Sequence, residues 1–132
     1  MKIGTLARQA DVAIDTVRYY ERQGLLPAPE RTQSGYRSYA ADDVARLRFI
    51  RRAKTLGFTL AEIRELLALS ARRDQDMAGM KAAALQKLAD VDDRIAELQC
   101  MRGGLEALVD SCPGHGALAR CPILNALAGE PR

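Results

Sequence analysis

Between residues 76 and 112 the chain carries Ala84, Leu88, Val91, Ile95, Leu98, Leu105, Leu108 and Cys112 at alternating three- and four-residue steps, with Met101 or Arg102 in the gap before Leu105. Steps averaging 3.5 residues lay one apolar stripe along a helix, and such a seam needs a partner helix. Lys81, Lys87, Asp90, Asp92, Asp93, Arg94 and Glu97 give the stretch an exposed charged surface, and no proline interrupts it before Pro113. A helix of roughly 35 residues is about 50 Å long at about 1.5 Å per residue, against a usual length of about 11–12 residues. A chain of 132 residues is too small to bury that length. Either the helix folds back on its own chain, or two chains pair along it. The seam centred on Leu88, Val91, Ile95, Leu98 and Leu105 favours a homodimer, parallel or antiparallel. Gly103-Gly104 marks a weak point within it, a kink or a close approach.

The remainder is long enough for one small domain. No run of 18 apolar residues is present, so no membrane span is expected. The N-terminus lacks the long apolar core of a signal peptide, and a cytoplasmic protein is expected. The net charge of +3 is unevenly spread: residues 1–75 hold 14 Lys/Arg against 9 Asp/Glu, whereas residues 76–132 hold 6 against 8. A basic head on a mildly acidic tail suits a nucleic-acid partner for the head. The three cysteines are Cys100, Cys112 and Cys121. An odd count in a cytosolic chain argues against a disulfide framework.

In chain order, Ile3, Leu6 and Ala7 mark a short first helix over Ile3–Gln9, and Ala10-Asp11-Val12 a turn. Asp15 stands ahead of a second helix from Thr16 to Arg22, which Gly24 closes. Two short helices across a tight turn make a helix-turn-helix. Arg31 to Tyr39 then reads as a small hairpin about Ser34-Gly35, dense in Arg31, Tyr36, Arg37 and Tyr39. Arginine brings charge and paired hydrogen bonds to phosphate, and tyrosine a hydroxyl and a flat ring; the alternative is a solvated loop. Asp42 and Asp43 open a third helix that runs to Gly57, with Arg46, Arg48, Arg51, Arg52 and Lys54 on several faces. Thr59 and Glu62 form a capping box for a fourth, and residues 70–75 form a polar hinge.

Four sets of residues resemble the MerR family of bacterial transcription regulators over essentially the whole chain. They are Ile3-Gly4 with Leu6-Ala7; Thr16 to Glu21 with Gly24-Leu25-Leu26; Arg31 with Gly35-Tyr36-Arg37 and Tyr39; and Leu47, Phe49-Ile50, Ala53, Leu56-Gly57-Phe58, Glu62-Ile63 and Leu66-Leu67. The resemblance implies a mainly α fold: a winged helix-turn-helix head (1–75), a long dimerisation helix in an antiparallel coiled coil (76–111), and a metal-binding loop with a short helix (112–132). It implies Thr16, Arg18, Tyr19 and Tyr20 on a recognition helix, and Arg31, Tyr36 and Arg37 in a wing at the DNA backbone. The implied partners are a palindromic operator in promoter DNA, RNA polymerase and a second copy of the chain. The implied role is regulatory, not enzymatic.

Cys112 and Cys121 flank eight residues that contain Pro113-Gly114 and the single histidine, His115. Two thiols at two helix ends can converge on one ion, and thiolates select soft metals. A catalytic thiol would need an Asn or Asp partner for His115, and no such pattern is present; two merely buried thiols are the remaining alternative. In the resembling family, sensors of zinc, cadmium or lead carry a third cysteine at the start of the dimer helix, and the matching position here is Met77. Copper(I) and silver(I) sensors lack that thiol and have a small serine there. A d¹⁰ monovalent ion accepts two thiolates, whereas zinc usually wants four ligands. Cu(I) or Ag(I) is therefore the expected effector, with Met77 and His115 as possible further ligands. The loop length is closer to the mercury and lead branch. Mercury(II) also accepts two thiolates, so a divalent ion (Hg, Pb, Cd or Zn) stays open, as does a thiol redox sensor. Cys100 reads as a small apolar filler.

Overall fold

Leu6, Ala7 and Ala10 share the inner face of α1 (Ile3–Ala10) in a computed structural model that describes residues 1–129 apart from Thr32, Ser34 and Tyr36. The helix ends where Asp11 takes a left-handed conformation, φ 57°. There the Asp11 and Val12 N–H groups donate back to the carbonyls of Arg8 (3.2 Å) and Ala7 (3.0 Å). These bonds satisfy acceptors that the last turn would otherwise leave open. α2 (Ile14–Arg22) closes in the same way: the Gly24 N–H, at φ 75°, donates to the Glu21 carbonyl (3.0 Å) and Leu25 to that of Tyr20 (2.9 Å). It starts two residues before the expected Thr16, which places Asp15 inside the first turn, at the positive end of the helix dipole.

The wing is a ladder of two short strands, β1 (Glu30–Arg31) and β2 (Arg37–Ser38), with Glu30 opposite Ser38 and Arg31 opposite Arg37. Tyr36, expected at the DNA backbone, lies outside the described residues. α3 (Ala41–Thr55) opens with the Ala40 N–H donating to the Asp43 carboxylate (2.9 Å). The capping box of α4 (Leu60–Ser70) is present in both directions: Glu62 N–H to Thr59 Oγ1 at 3.2 Å, and Thr59 N–H to Glu62 Oε1 at 2.8 Å.

Leu6, Val17, Leu25, Leu47, Ile50 and Ile63 are fully buried, so α1 to α4 share one core. Burying each such side chain contributes roughly 1.5–3 kcal/mol. Several arginines of α3 and α4 have a use that composition did not reveal. Arg48 donates to the Gln9 carbonyl at 2.9 Å, Arg46 to that of Leu25, and Arg64 to that of Gln23. These cations sit at the C-terminal ends of α1 and α2, where the carbonyls and the dipole both favour positive charge.

α5 (Ala78–Ser111) is 34 residues long and remains helical through Gly103-Gly104. No atom of the described chain lies within 4 Å of where a Cβ would stand at either glycine. Each glycine costs helix stability, by about 1 kcal/mol relative to alanine. No residue of α5 is buried in the single chain, and its apolar stripe is open along its length. A 3-10 turn (Leu118–Arg120) precedes α6 (Pro122–Leu127), whose first residue is a proline that needs no N–H there. The chain divides into two compact units, Met1–Ala84 and Leu85–Arg132, so the first turns of α5 go with the head. Among the described residues no helix is long and apolar enough to cross a membrane.

Candidate nucleic-acid interface and thiol pair

α2 buries Val17 and Tyr20 and turns Arg18 and Tyr19 outward, with Thr16 half-buried. Tyr20 is 8 % exposed and packed in the core. Its expected place among the DNA-facing residues is corrected: the three-residue step from Val17 puts both on the inner face. Burial also raises its phenol pKa, with Tyr19 adding to the shift. Arg31 and Arg37, opposite each other on the wing, are exposed. Between wing and α2 lies a cleft of about 770 Å³ whose described lining includes Lys2, Arg18, Arg22, Arg31 and Arg37 together with the acid Glu21.

Glu21 Oε2 pairs with Arg37 at 3.0 Å, and Glu21 Oε1 accepts from the Tyr39 hydroxyl. Tyr39 is buried, and its phenol pKa is pushed up to about 12, first by burial and then by Glu21. Tyr39 therefore stays a donor at any physiological pH. Sequence reading passed over Lys2, Arg22 and Glu21. Glu21 and Arg37 are 16 residues apart, and no local periodicity links them.

In the second unit, Cys112 follows the last turn of α5, and its N–H donates to the Val109 carbonyl at 3.2 Å. Cys121 is the N-cap of α6, where its sulfur accepts from the Leu124 N–H at 3.5 Å. The Leu124 N–H leads in lowering the Cys121 thiol pKa; burial opposes it as the next largest effect, and the Ile123 N–H and the Cys112 side chain lower it further. Cys112 thus stands at the end of α5 and Cys121 at the start of α6, and the Cys112 side chain is among the groups that lower the Cys121 thiol pKa. Both are half-buried, which leaves them open to an incoming ion.

His115 Nδ1 lies 3.1 Å from the Pro113 carbonyl, so that nitrogen is engaged by the loop itself. Met77 precedes α5 and is 80 % exposed. Cys100 is exposed on α5, not a filler within its own chain. Among the described residues no group of three His, Cys, Asp or Glu side chains is placed to hold a metal.

Residues 1–70 match the model of the MerR HTH family of regulatory proteins, and residues 44–108 match that of the MerR DNA-binding region. The chain belongs to the MerR family. It is 43 % identical over 129 residues to the HTH-type transcriptional regulator CueR of Yersinia pestis, covering 98 % of this chain and 92 % of that one. Among solved structures it is similar to the transcription regulator PbrR691 of Ralstonia metallidurans CH34 in complex with lead(II). That match has a TM-score of 0.86 and 38 % identity, covering 96 % of this chain and 98 % of the other. It is also similar to the dual function transcriptional regulator MerR of Bacillus megaterium MB1 in complex with mercury(II), with a TM-score of 0.73 and 35 % identity over 97 % and 99 %. The winged helix-turn-helix head, the long helix used for dimerisation and the short C-terminal helix are the MerR fold. The MerR chain described here is accordingly a DNA-binding regulator, not an enzyme.

Proposed function

We propose that this MerR protein is a metal-responsive transcription regulator, dimeric on palindromic promoter DNA, whose signal is a soft metal ion gripped by Cys112 and Cys121. The placement of the two free thiols, Cys112 just after α5 and Cys121 at the N-cap of α6, carries the reading. The bound ion supplies a cross-link between the end of α5 and the start of α6. Cys112 and Cys121 close the loop around it, which fixes the end of the dimer helix. In a dimer paired along α5, that constraint resets the two heads on one duplex. The DNA then bends and untwists at a cost set by its deformability, and RNA polymerase engages the altered promoter.

Two readings of the ion are supported. A divalent soft ion is favoured by the likeness to the lead(II) and mercury(II) complexes and by the loop length. Within that class, mercury(II) suits a two-thiolate grip. Copper(I) or silver(I) is favoured by Met77, which stands where a third thiol would otherwise serve a divalent ion. X-ray absorption on protein loaded separately with each ion counts the sulfurs. Two sulfurs at one ion per protomer are expected, with Met77→Cys adding a third and strengthening divalent binding. Four non-sulfur donors around the ion would sink the thiol grip and leave the DNA-binding assignment standing.

On DNA, Arg18 and Arg37 are the contacts proposed for the recognition helix and the wing. A duplex selected by the wild-type chain from a random-sequence pool serves as operator. Arg18→Ala and Arg37→Ala should each weaken its binding and lower the magnitude of the salt slope by roughly one unit. Affinity and slope both unchanged in the two variants would end this placement of the interface.

A further inference from the structure

A carboxylate is out of place where Glu21 stands. It is next to the last residue of α2, at the end of the helix dipole that disfavours negative charge. It also lines a cleft whose other charged residues are Lys2, Arg18, Arg22, Arg31 and Arg37, a surface suited to phosphates. Yet only 11 % of its side chain is exposed, and both its oxygens are engaged by the wing: Oε2 by Arg37 at 3.0 Å and Oε1 by the Tyr39 hydroxyl.

The wing needs such an anchor. Its ladder is two residues per strand, and an isolated two-stranded hairpin is marginal in water. Two bonds on the other side of the strand also tie it down, from the Tyr39 N–H to the Met1 carbonyl at 2.8 Å and from the Met1 amine to the Tyr39 carbonyl at 2.7 Å. Neither reaches the Arg37 side chain; Glu21 does. We infer that Glu21 is a positioning residue for DNA binding, one that fixes the Arg37 guanidinium and the wing against the recognition helix before DNA arrives. This role rests on Arg37 being a DNA contact. Arg37 spends one terminal nitrogen on Glu21 and keeps further N–H donors for a phosphate. Because the Arg37 side of the pair is half exposed, solvent screening reduces what the pair adds to fold stability. Its value is that an arginine immobilised in advance loses less freedom on binding.

The test turns on sign. By charge alone, removing a carboxylate from a DNA-facing cleft should tighten binding and steepen its salt dependence. Glu21→Ala is instead expected to bind the selected operator about 3- to 10-fold more weakly, the factor for ordering one arginine at binding rather than before it. The salt slope should shrink, and Arg37→Ala should cost much less in the Glu21→Ala background than in the wild type. Glu21→Gln keeps an acceptor for Tyr39 but loses the ion pair, and should fall between. Tyr39→Phe removes a single hydroxyl and should weaken binding at an unchanged melting temperature, which keeps the test open if Glu21→Ala fails to fold. Glu21→Ala binding as tightly as wild type or tighter, or additive effects of Glu21→Ala and Arg37→Ala, would overturn the role. If Arg37→Ala binds normally in the wild-type background, the wing contact itself is wrong.

Discussion

Cys112→Ser and Cys121→Ser are each expected to abolish metal-dependent induction while operator affinity stays at the wild-type level. A hydroxyl is a hard, protonated donor where a soft ion needs thiolate, and among the described residues no group of three His, Cys, Asp or Glu side chains is placed to compensate. Changes outside the ligand shell already cost about 10–100-fold in metal affinity, and loss of one of two ligands costs more. The substitutions spare the fold. Serine is a good N-cap, so α6 keeps its start when Cys121 is replaced. Both thiols belong to the Leu85–Arg132 unit, and the proposed DNA contacts belong to the other. In vitro transcription with and without the ion, beside gel-shift affinity, measures the two effects separately. Cys100→Ser should respond as wild type. Induction that survives both substitutions ends the thiol reading. Output that follows oxidant and dithiothreitol but ignores mercury(II), copper(I) and lead(II) makes the pair a redox sensor instead.

Ile95→Glu or Leu98→Glu is expected to convert the protein to a monomer in sedimentation. In the single chain these side chains are 48 % and 47 % exposed, so a glutamate there meets water and costs the isolated helix little. Glutamate is, if anything, a better helix former than isoleucine. Pairing along α5 removes that water and leaves the carboxylate without a partner, at roughly 2 kcal/mol or more per copy. Two copies per dimer give about 4 kcal/mol, roughly a thousandfold in the dissociation constant. Helix content by circular dichroism should hold while the mass halves. A wild-type chain that is monomeric at micromolar concentration, or a glutamate variant that stays dimeric, removes α5 as the dimer seam.

The amino-acid sequence by itself determined the features that depend on neighbours along the chain. The stripe from Leu88 to Leu105 marked a helix too long for one chain, and α5 is that helix. Thr59 and Glu62 announced a helix start three residues apart, and Gly24 a helix end, because caps are made by residues within one turn. Pro122 likewise opens α6. Tertiary structure decided what depends on residues far apart. Tyr20 is part of a dense polar motif, yet the face of α2 it occupies packs on the core. Arg46 and Arg48 looked like a general basic surface until folding brought the Leu25 and Gln9 carbonyls under them. Glu21 gained its meaning only when folding brought Arg37 and Tyr39, 16 and 18 residues away, to its two oxygens. Helix periodicity and caps are local, so a single chain displays them; pairing across a core is set by how the elements dock, and no spacing along the sequence encodes it.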